Sequence, residues 1–493
     1  MTGMTIALPS HGQLPPQALG GGMAFKGGRS ANDPINPTLI AIALVYLAWS
    51  YLHLSSSIWA RLALASLLII RMRPDIIIPY CLTCLQLRLH LFAKAAGGND
   101  PDGLADVFKG LTGFESYAFS IPPVLMMLMT VLAVVGVRKN RHQFPNRLFW
   151  LWTVGSIFVL AGAVTSMGGG RGWTGSIRIY SVVCSCFYGM LMPTLDQRQL
   201  TRLAGGLALL GTAMCVLSLC FGFMTHVLFM IMPLVAVWWV SGLLAGPRRG
   251  LSAIMMAITG SLCLFMMTFM TALTWLWAAV AGMIEYFGKP GRGRPARGMA
   301  WLVGGTAIAC ALLFYAGVTQ KITEKQAVDD SILARLQFKI FSDRGPVWSG
   351  GLRLVTEEPT LLAIPERPFL VHWFDQEVLW LGGTHNLELD LLRQLGWVAG
   401  PIAALVLAYV VWSLVIVIQY DESRGSRALA TAAICCIVVG GLTLPYIVRD
   451  RVGETMLMSA GLVIASQRAR TSAERVARTM AANAARWAGP RVA

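Results

Sequence analysis

Charge is what this chain lacks most: only 13% of its 493 residues are Asp, Glu, Lys or Arg, against 56% apolar. A soluble domain carries roughly a quarter charged residues, so a soluble globular protein is excluded at the outset. Acid is scarcer than base, 24 Asp and Glu against 40 Lys and Arg, for a formal net charge of +16. That excess is not gathered on one basic face of a soluble domain, which nucleic-acid binding would need; no nucleic-acid partner is expected. Residues 1–35 have no charged n-region feeding an apolar h-region, so no cleavable signal is expected. Rich in Gly and Pro, they are expected to be a disordered cytoplasmic N-terminus. Ten cysteines are present, but Cys81-x-x-Cys84 has no second pair or flanking His to complete a metal site, and buried thiols are the plainer reading. No internal repeat is visible, which argues against the two-halved build of many transporters.

What the chain does have is long uncharged runs. Apolar segments occur near 36–57, 58–70, 75–93, 117–137, 148–167, 179–195, 203–222, 225–245, 251–287, 300–318, 397–419, 428–448 and 453–467. Several reach the roughly 20 residues needed to cross a bilayer. The expected fold class is all-α, a polytopic membrane protein of about 12–14 transmembrane helices. Lys and Arg cluster in the hinges: Arg138, Lys139, Arg141 and Arg147; Lys289, Arg292, Arg294 and Arg297; Arg424 and Arg427. Positive hinges at alternate span ends follow the positive-inside rule. The segment 251–287 is ambiguous: as one straight helix it would run about 55 Å, against a hydrocarbon core of about 30 Å. A tight hairpin of two short spans and one tilted span plus an interfacial piece both fit.

The expected organisation is a membrane bundle over 36–318, an outer loop over 319–396, further spans over 397–467, and a basic cytoplasmic tail over 468–493. The tail, with Arg468, Arg470, Arg475, Arg478, Arg486 and Arg491, reads either as a basic helix on anionic lipid or as a solvated helix. The outer loop is the one long polar stretch, and loops of that length are functional or disordered. Its periodic apolar residues, Leu352, Val355, Phe369 and Trp380 among them, predict a folded segment. Glu357 and Glu358 read as solvated carboxylates or as an acid–base pair; His372 reads as packing or as a sugar contact. A new helix is expected to start at Gly382-Gly383-Thr384-His385, with Thr384 a suitable cap. A histidine at that position is either structural or a proton acceptor.

DRGPVW (343–348) followed by THNLELDLLRQLGWVAGPIAALVLAYVVW (384–412) resembles the signature of the O-antigen ligase and O-antigen polymerase superfamily. Arg344 and Trp348 match its R-x-x-x-W pattern; His385, Asn386, Leu389, Gly396 and, one residue late, Gly400 match its H-N-x-x-L…G-x-x-G helix. Arg249, within Pro247-Arg248-Arg249-Gly250-Leu251, resembles the Arg of a Ser-Arg-Gly element, with Arg248 in place of Ser. The likeness spans roughly 235–465; upstream it is only a run of apolar segments.

The resemblance implies a GT-C-like bacterial inner-membrane enzyme whose site faces the periplasm. Such an enzyme moves oligosaccharide from undecaprenyl pyrophosphate to an acceptor glycan or lipid A-core, with no nucleotide sugar, cofactor or metal. His385 would take the proton from the acceptor hydroxyl as it attacks the anomeric carbon with inversion. Arg344 and Arg249 would bind the pyrophosphate, since a guanidinium fork holds phosphate oxygens in two places and keeps its charge. Trp348 and Asn386 accompany them. Positive-inside counting sets Arg249 on the cytoplasmic side, in conflict with that role. Arg171 and Arg178, in a hinge counted as outer, are reserve phosphate ligands or plain interface anchors. The unmatched Arg248 leans the reading toward a surface-polysaccharide polymerase rather than a ligase. A lipid-linked-saccharide transporter and a non-catalytic scaffold are the rivals of other classes.

Overall fold

The computed structural model describes residues 146–167, 174–191, 194–221, 231–246, 248–265, 269–287, 294–319, 344–364, 367–373, 376–380, 383–384, 386–443 and 451–487. The apolar segments upstream of 146, the Cys81–Cys84 pair and the N-terminal 1–35 lie outside them, as do Arg171, His385 and Glu366.

Within those residues the chain is mostly helical. The helices are α1 (Asn146–Met167), α2 (Thr174–Leu191), α3 (Gln197–Phe221), α4 (Met232–Ala245), α5 (Arg249–Phe265), α6 (Phe269–Phe287), α7 (Arg294–Thr319), α8 (Arg344–Glu357), α9 (Leu387–Tyr420), α10 (Arg424–Thr443) and α11 (Arg451–Trp487). Three stretches are long and apolar enough to cross a membrane: Leu148–Thr165, Arg297–Thr319 and Leu387–Tyr420. The departure from an all-helical chain is one antiparallel hairpin, β1 (Phe369–Trp373) with β2 (Gln376–Trp380), paired from Phe369 opposite Trp380 to Trp373 opposite Gln376. Phe369 and Val371 are buried and Leu370 and His372 exposed, the two-residue alternation of a half-covered strand.

Burial ranks the helices. α4 starts with Pro233 in its first turn, where no amide is needed, and is buried on nearly every side, as a helix apolar all round should be. α7 is the opposite: Trp301 is 82% exposed and Tyr315 67%, leaving a broad apolar surface at the rim of the bundle. α2 and α11 cross closely at Gly189 and Gly461, where a side chain on either glycine would strike the partner's backbone, the small-residue contact of membrane helices.

The ambiguous segment 251–287 is two helices. α5 and α6 run back to back, with Gly260 against the Trp275 ring at 3.3 Å, so a single span is excluded. Both outer ends of this pair therefore lie at one end of the bundle. The arginines of the next hinges are bonded there. Arg424 stacks on the Trp238 ring at 4.0 Å and donates to Ser241 Oγ at 2.8 Å; Arg427 pairs with the buried Glu285 at 3.5 Å. Asp421 accepts from the Ser423 amide at 2.8 Å, from Gln197 at 3.4 Å and from Arg470, tying α3, the α9–α10 turn and α11 together. Beyond Thr471 the basic tail is exposed and continues α11 as one helix of 37 residues.

α9 is not straight. Gly396 has φ +75° and ψ 178°, which breaks the 34-residue helix into 387–395 and 397–420. The second segment, about 24 residues and ~36 Å long, is the one that matches a bilayer. It turns back so sharply that a side chain on Gly400 would meet the Leu391 carbonyl at 2.9 Å. A side chain on Gly396 would meet the Leu361 and Leu362 carbonyls at 2.7 Å. Gly396→Ala should therefore lower thermal stability in detergent by at least the roughly 1–2 kcal/mol of a left-handed L-residue. Gly206→Ala, on α3 with nothing within 4 Å, should leave the melting temperature unchanged or slightly raised. Equal melting of the two variants would refute the strained corner.

Candidate functional site

Conspicuous residues of the 344–396 stretch converge on the first turn of α9. Asn386 is its N-cap, in extended backbone (φ −141°, ψ 126°), and its side chain accepts from the Leu389 amide at 2.9 Å. Asn386 is therefore a structural cap, which its residue type favours. Thr384 closes the turn from the other side: its hydroxyl donates to the Asn386 carbonyl at 2.9 Å, and its amide donates to Asp390 Oδ1 at 3.0 Å. His385 lies outside the described residues, but both of its chain neighbours are buried and hydrogen-bonded.

Beneath the turn is an ion pair almost without solvent contact. Arg393 Nη2 donates to Asp390 Oδ1 at 3.1 Å, and both side chains are 1% exposed. The same guanidinium donates to the Arg367 carbonyl at 2.6 Å and lies 5.3 Å from the Phe369 ring. Arg367 in turn bonds Glu358, its Nη1 reaching the Glu358 carbonyl at 2.7 Å. Turn, hairpin and the end of α8 are thus one hydrogen-bonded unit. Asp390 Oδ2 is buried without a hydrogen-bond partner among the described residues. The sequence reading missed Asp390 and Arg393; the signal available was an i,i+3 acid–base pair in an otherwise apolar helix.

α8 packs on this unit through one face, Val347, Trp348, Gly351 and Val355, at helical spacing. A side chain on Gly351 would meet the Thr384 methyl at 2.9 Å and Leu389 at 3.0 Å. Trp397, just past the corner, donates its amide to the Thr360 carbonyl at 2.8 Å and its indole N–H to the Val355 carbonyl at 3.0 Å. Arg344, half-buried, opens the same helix about 10 Å before Gly351 at ~1.5 Å per residue. Trp348 is buried against the Phe314 ring, centroids 5.2 Å apart, and its indole N–H has no hydrogen-bond partner among the described residues. A buried unpaired donor costs about 1–3 kcal/mol.

The cations divide into two groups. A side chain on Gly345 would meet the Gly317 carbonyl at 2.8 Å, which sets Arg344 at the C-terminal end of α7. Arg249 is exposed at the opposite end: Ser252, one turn further along α5, lies against Gly242 beside Arg424, and Gly298 at the start of α7 lies against Ile284. α7, with its 26 residues, is about 39 Å long. Arg249 therefore cannot share a ligand with Arg344; the expected pairing is corrected, because α5 and α6 form a hairpin and return the chain to its starting side. Arg178 fares differently. It belongs to the first turns of α2, and two residues earlier Ser176 Oγ donates to the Gln394 carbonyl of α9 at 2.8 Å. The start of α2 is thus beside Gln394, at the end of the first α9 segment.

The loop carboxylates and His372 take the plainer roles. Glu358 is engaged by Arg367, Glu357 is exposed, and His372 is exposed between Arg353 at 3.1 Å and Glu377 at 3.1 Å.

Comparison with the models of known protein families finds no match, and comparison with curated proteins finds none either.

Removing one partner of the buried pair should be worse than removing both. Arg393→Ala, which leaves Asp390 buried and uncompensated, should cost about 3–5 kcal/mol. Asp390→Leu with Arg393→Met should cost distinctly less, as read by unfolding in detergent. A double variant as unstable as Arg393→Ala would show that the pair contributes more than mutual compensation.

Proposed function

We propose that this chain is a multi-pass, GT-C-like glycosyltransferase of a bacterial inner membrane. It takes oligosaccharide from an undecaprenyl-pyrophosphate carrier at the periplasmic face and transfers it to an acceptor glycan. The observation that carries this reading is the packing of α8, which bears Arg344 and Trp348, directly onto the Thr384–Asn386 turn that brackets His385. Two motifs far apart in the sequence thereby share one site, at the end of the bundle opposite the bonded arginine hinges. By the positive-inside rule those hinges face the cytoplasm.

In the proposed reaction His385 accepts the proton of the acceptor hydroxyl, and the freed oxygen attacks the anomeric carbon. The bond from that carbon to the pyrophosphate oxygen breaks with inversion, and the electron pair leaves with the pyrophosphate. Arg344 disperses that developing charge, a task suited to a permanently charged fork. Arg178, on the helix beside Gln394, takes the second place in this reading; Arg249 has none.

Polymerase action on a surface polysaccharide is the favoured form, and ligation to lipid A-core the second. A lipid-linked-saccharide transporter would place its ionisable groups along a path between similar halves. The chain instead carries most of its ionisable groups in hinges and in the 319–396 stretch, and its halves are unlike.

The test is saccharide analysis in a deletion strain complemented with variants expressed at wild-type level. His385→Ala should cut polymer formation about 100-fold or more. Arg344→Ala should lose about as much, and Arg344→Lys should recover part of it. Single repeat units on lipid A-core with no long polymer would identify a polymerase. Lipid-linked polymer that is made but never attached would identify a ligase. Unchanged polymer from His385→Ala would overturn the reading.

A further inference from the structure

A groove opens on the side of the bundle between α7 and the two segments of α9. Much of its wall is small: Ala300, Gly304 and Ala307 on α7, Ala404 and Ala408 on α9. Ala307 and Ala408 are exposed there, so the described residues leave the groove uncovered. Small residues let another helix approach closely inside a membrane, where packing rather than water drives association. Glu388 is the single ionisable side chain of the lining; it is exposed, and no cation pairs with it among the described residues. An ionisable side chain within a bilayer is costly unless it faces protein or water and finds a partner of opposite charge. The groove therefore calls for a helix that brings a cation.

The chain supplies one such segment, among the residues outside those described. Of the apolar runs before α1, 36–57 and 117–137 hold no Lys or Arg, and 58–70 is too short to cross a bilayer. The run 75–93 is long enough and carries Arg88 between Leu87 and Leu89. Its direction follows from α1. A side chain on Gly162, near the end of α1, would meet Ala363 of the outer loop, so α1 runs outward. Counting back, 117–137 runs inward and 75–93 outward. The hinges agree: Arg71 and Arg73 precede 75–93 and Arg138, Lys139 and Arg141 follow 117–137, while 94–116 between them has no arginine. Depth agrees as well. Arg88 stands five residues before the outer end of its run, ~8 Å down, and Ala404 seven residues past Trp397, ~10 Å down.

We infer that segment 75–93 of this chain seats in the α7–α9 groove and that Arg88 pairs there with Glu388. The seat covers the small-residue walls and takes the carboxylate out of contact with hydrocarbon. It also ties the first part of the chain to the helix turn capped by Asn386, two residues before Glu388. The pairing belongs to the fold and holds whether or not the chain transfers saccharide.

Two neighbouring glycines allow a controlled test. Added side-chain atoms at Gly304 and at Gly305 both meet nothing within 4 Å, but only Gly304 lines the groove. The full chain carries a diazirine amino acid in place of one or the other, is irradiated in phosphatidylcholine nanodiscs, and is digested for mass spectrometry. Position 304 should crosslink to residues of 75–93 within the same chain, and position 305 should lose most of that product. Crosslinks from 304 to lipid alone, to a second copy or to another polypeptide would overturn the inference. The ion pair is read by melting in the same nanodiscs. Glu388→Gln and Arg88→Gln should each lower the melting temperature, because each strands the other charge. The double variant should fall no further than either single one. His90→Gln, on the same segment, should add independently to Glu388→Gln. Additive losses at 88 and 388 would overturn the pairing. Where a charge variant fails to fold, crosslinking from 304 in the otherwise unaltered chain still decides the seat.

Discussion

Asp390 and Arg393 are both withdrawn from solvent, and the arrangement around the candidate site hangs on their contact. Two charges removed from water cost several kcal/mol each unless geometry and additional hydrogen bonds compensate. Here the carboxylate also takes the Thr384 amide, while the guanidinium also takes the Arg367 carbonyl and lies by the Phe369 ring. The pair therefore acts as a peg through three pieces of chain: the turn before α9, the hairpin, and the loop after α8. Such a peg specifies one arrangement, because any shift of the turn strands a charge.

The corner at Gly396 sets where that peg sits. A straight helix of 34 residues would carry its first turn far from the rest of the bundle. Broken at Gly396 and folded back onto Leu391, the first segment instead lines a groove together with α7 and α10. The same fold-back leaves the second segment near the thickness of a bilayer. One left-handed residue thus reconciles a helix of bilayer length with a first turn folded back against the bundle.

The chain's excess of arginine is divided by role rather than spread evenly. At one end Arg424, Arg427 and Arg470 are consumed in bonds to Ser241, Trp238, Glu285 and Asp421, which hold helix ends together. At the other, Arg344 opens α8 half-buried, and the start of α2 brings Arg178 close to the α9 segment. Arginine suits both tasks because its planar fork bonds in several directions while staying charged.

The apolar runs and the scarcity of charge were enough to show a helical chain with membrane-length segments. A resemblance carried by two short motifs singled out Arg344, Trp348 and Asn386 as candidates. Those features depend on residues close together in sequence: hydrophobic content over a span, a cap beside its helix, a short motif. What they could not show was decided by contacts between distant residues. Hydropathy read 251–287 equally well as one span or two, and only the packing of Gly260 on Trp275 made it a hairpin and sent Arg249 to the far end. The strands 369–373 and 376–380 were too short for their alternation to stand out against a helical background. Gly396 entered only as part of a motif, yet its positive φ and the carbonyls of Leu361 and Leu362 make it a corner. Asp390 and Arg393, one turn apart, drew no notice in the sequence. Burial by the hairpin and α8 turned them into the peg of the site, and burial is a property of the whole fold rather than of the residues that undergo it.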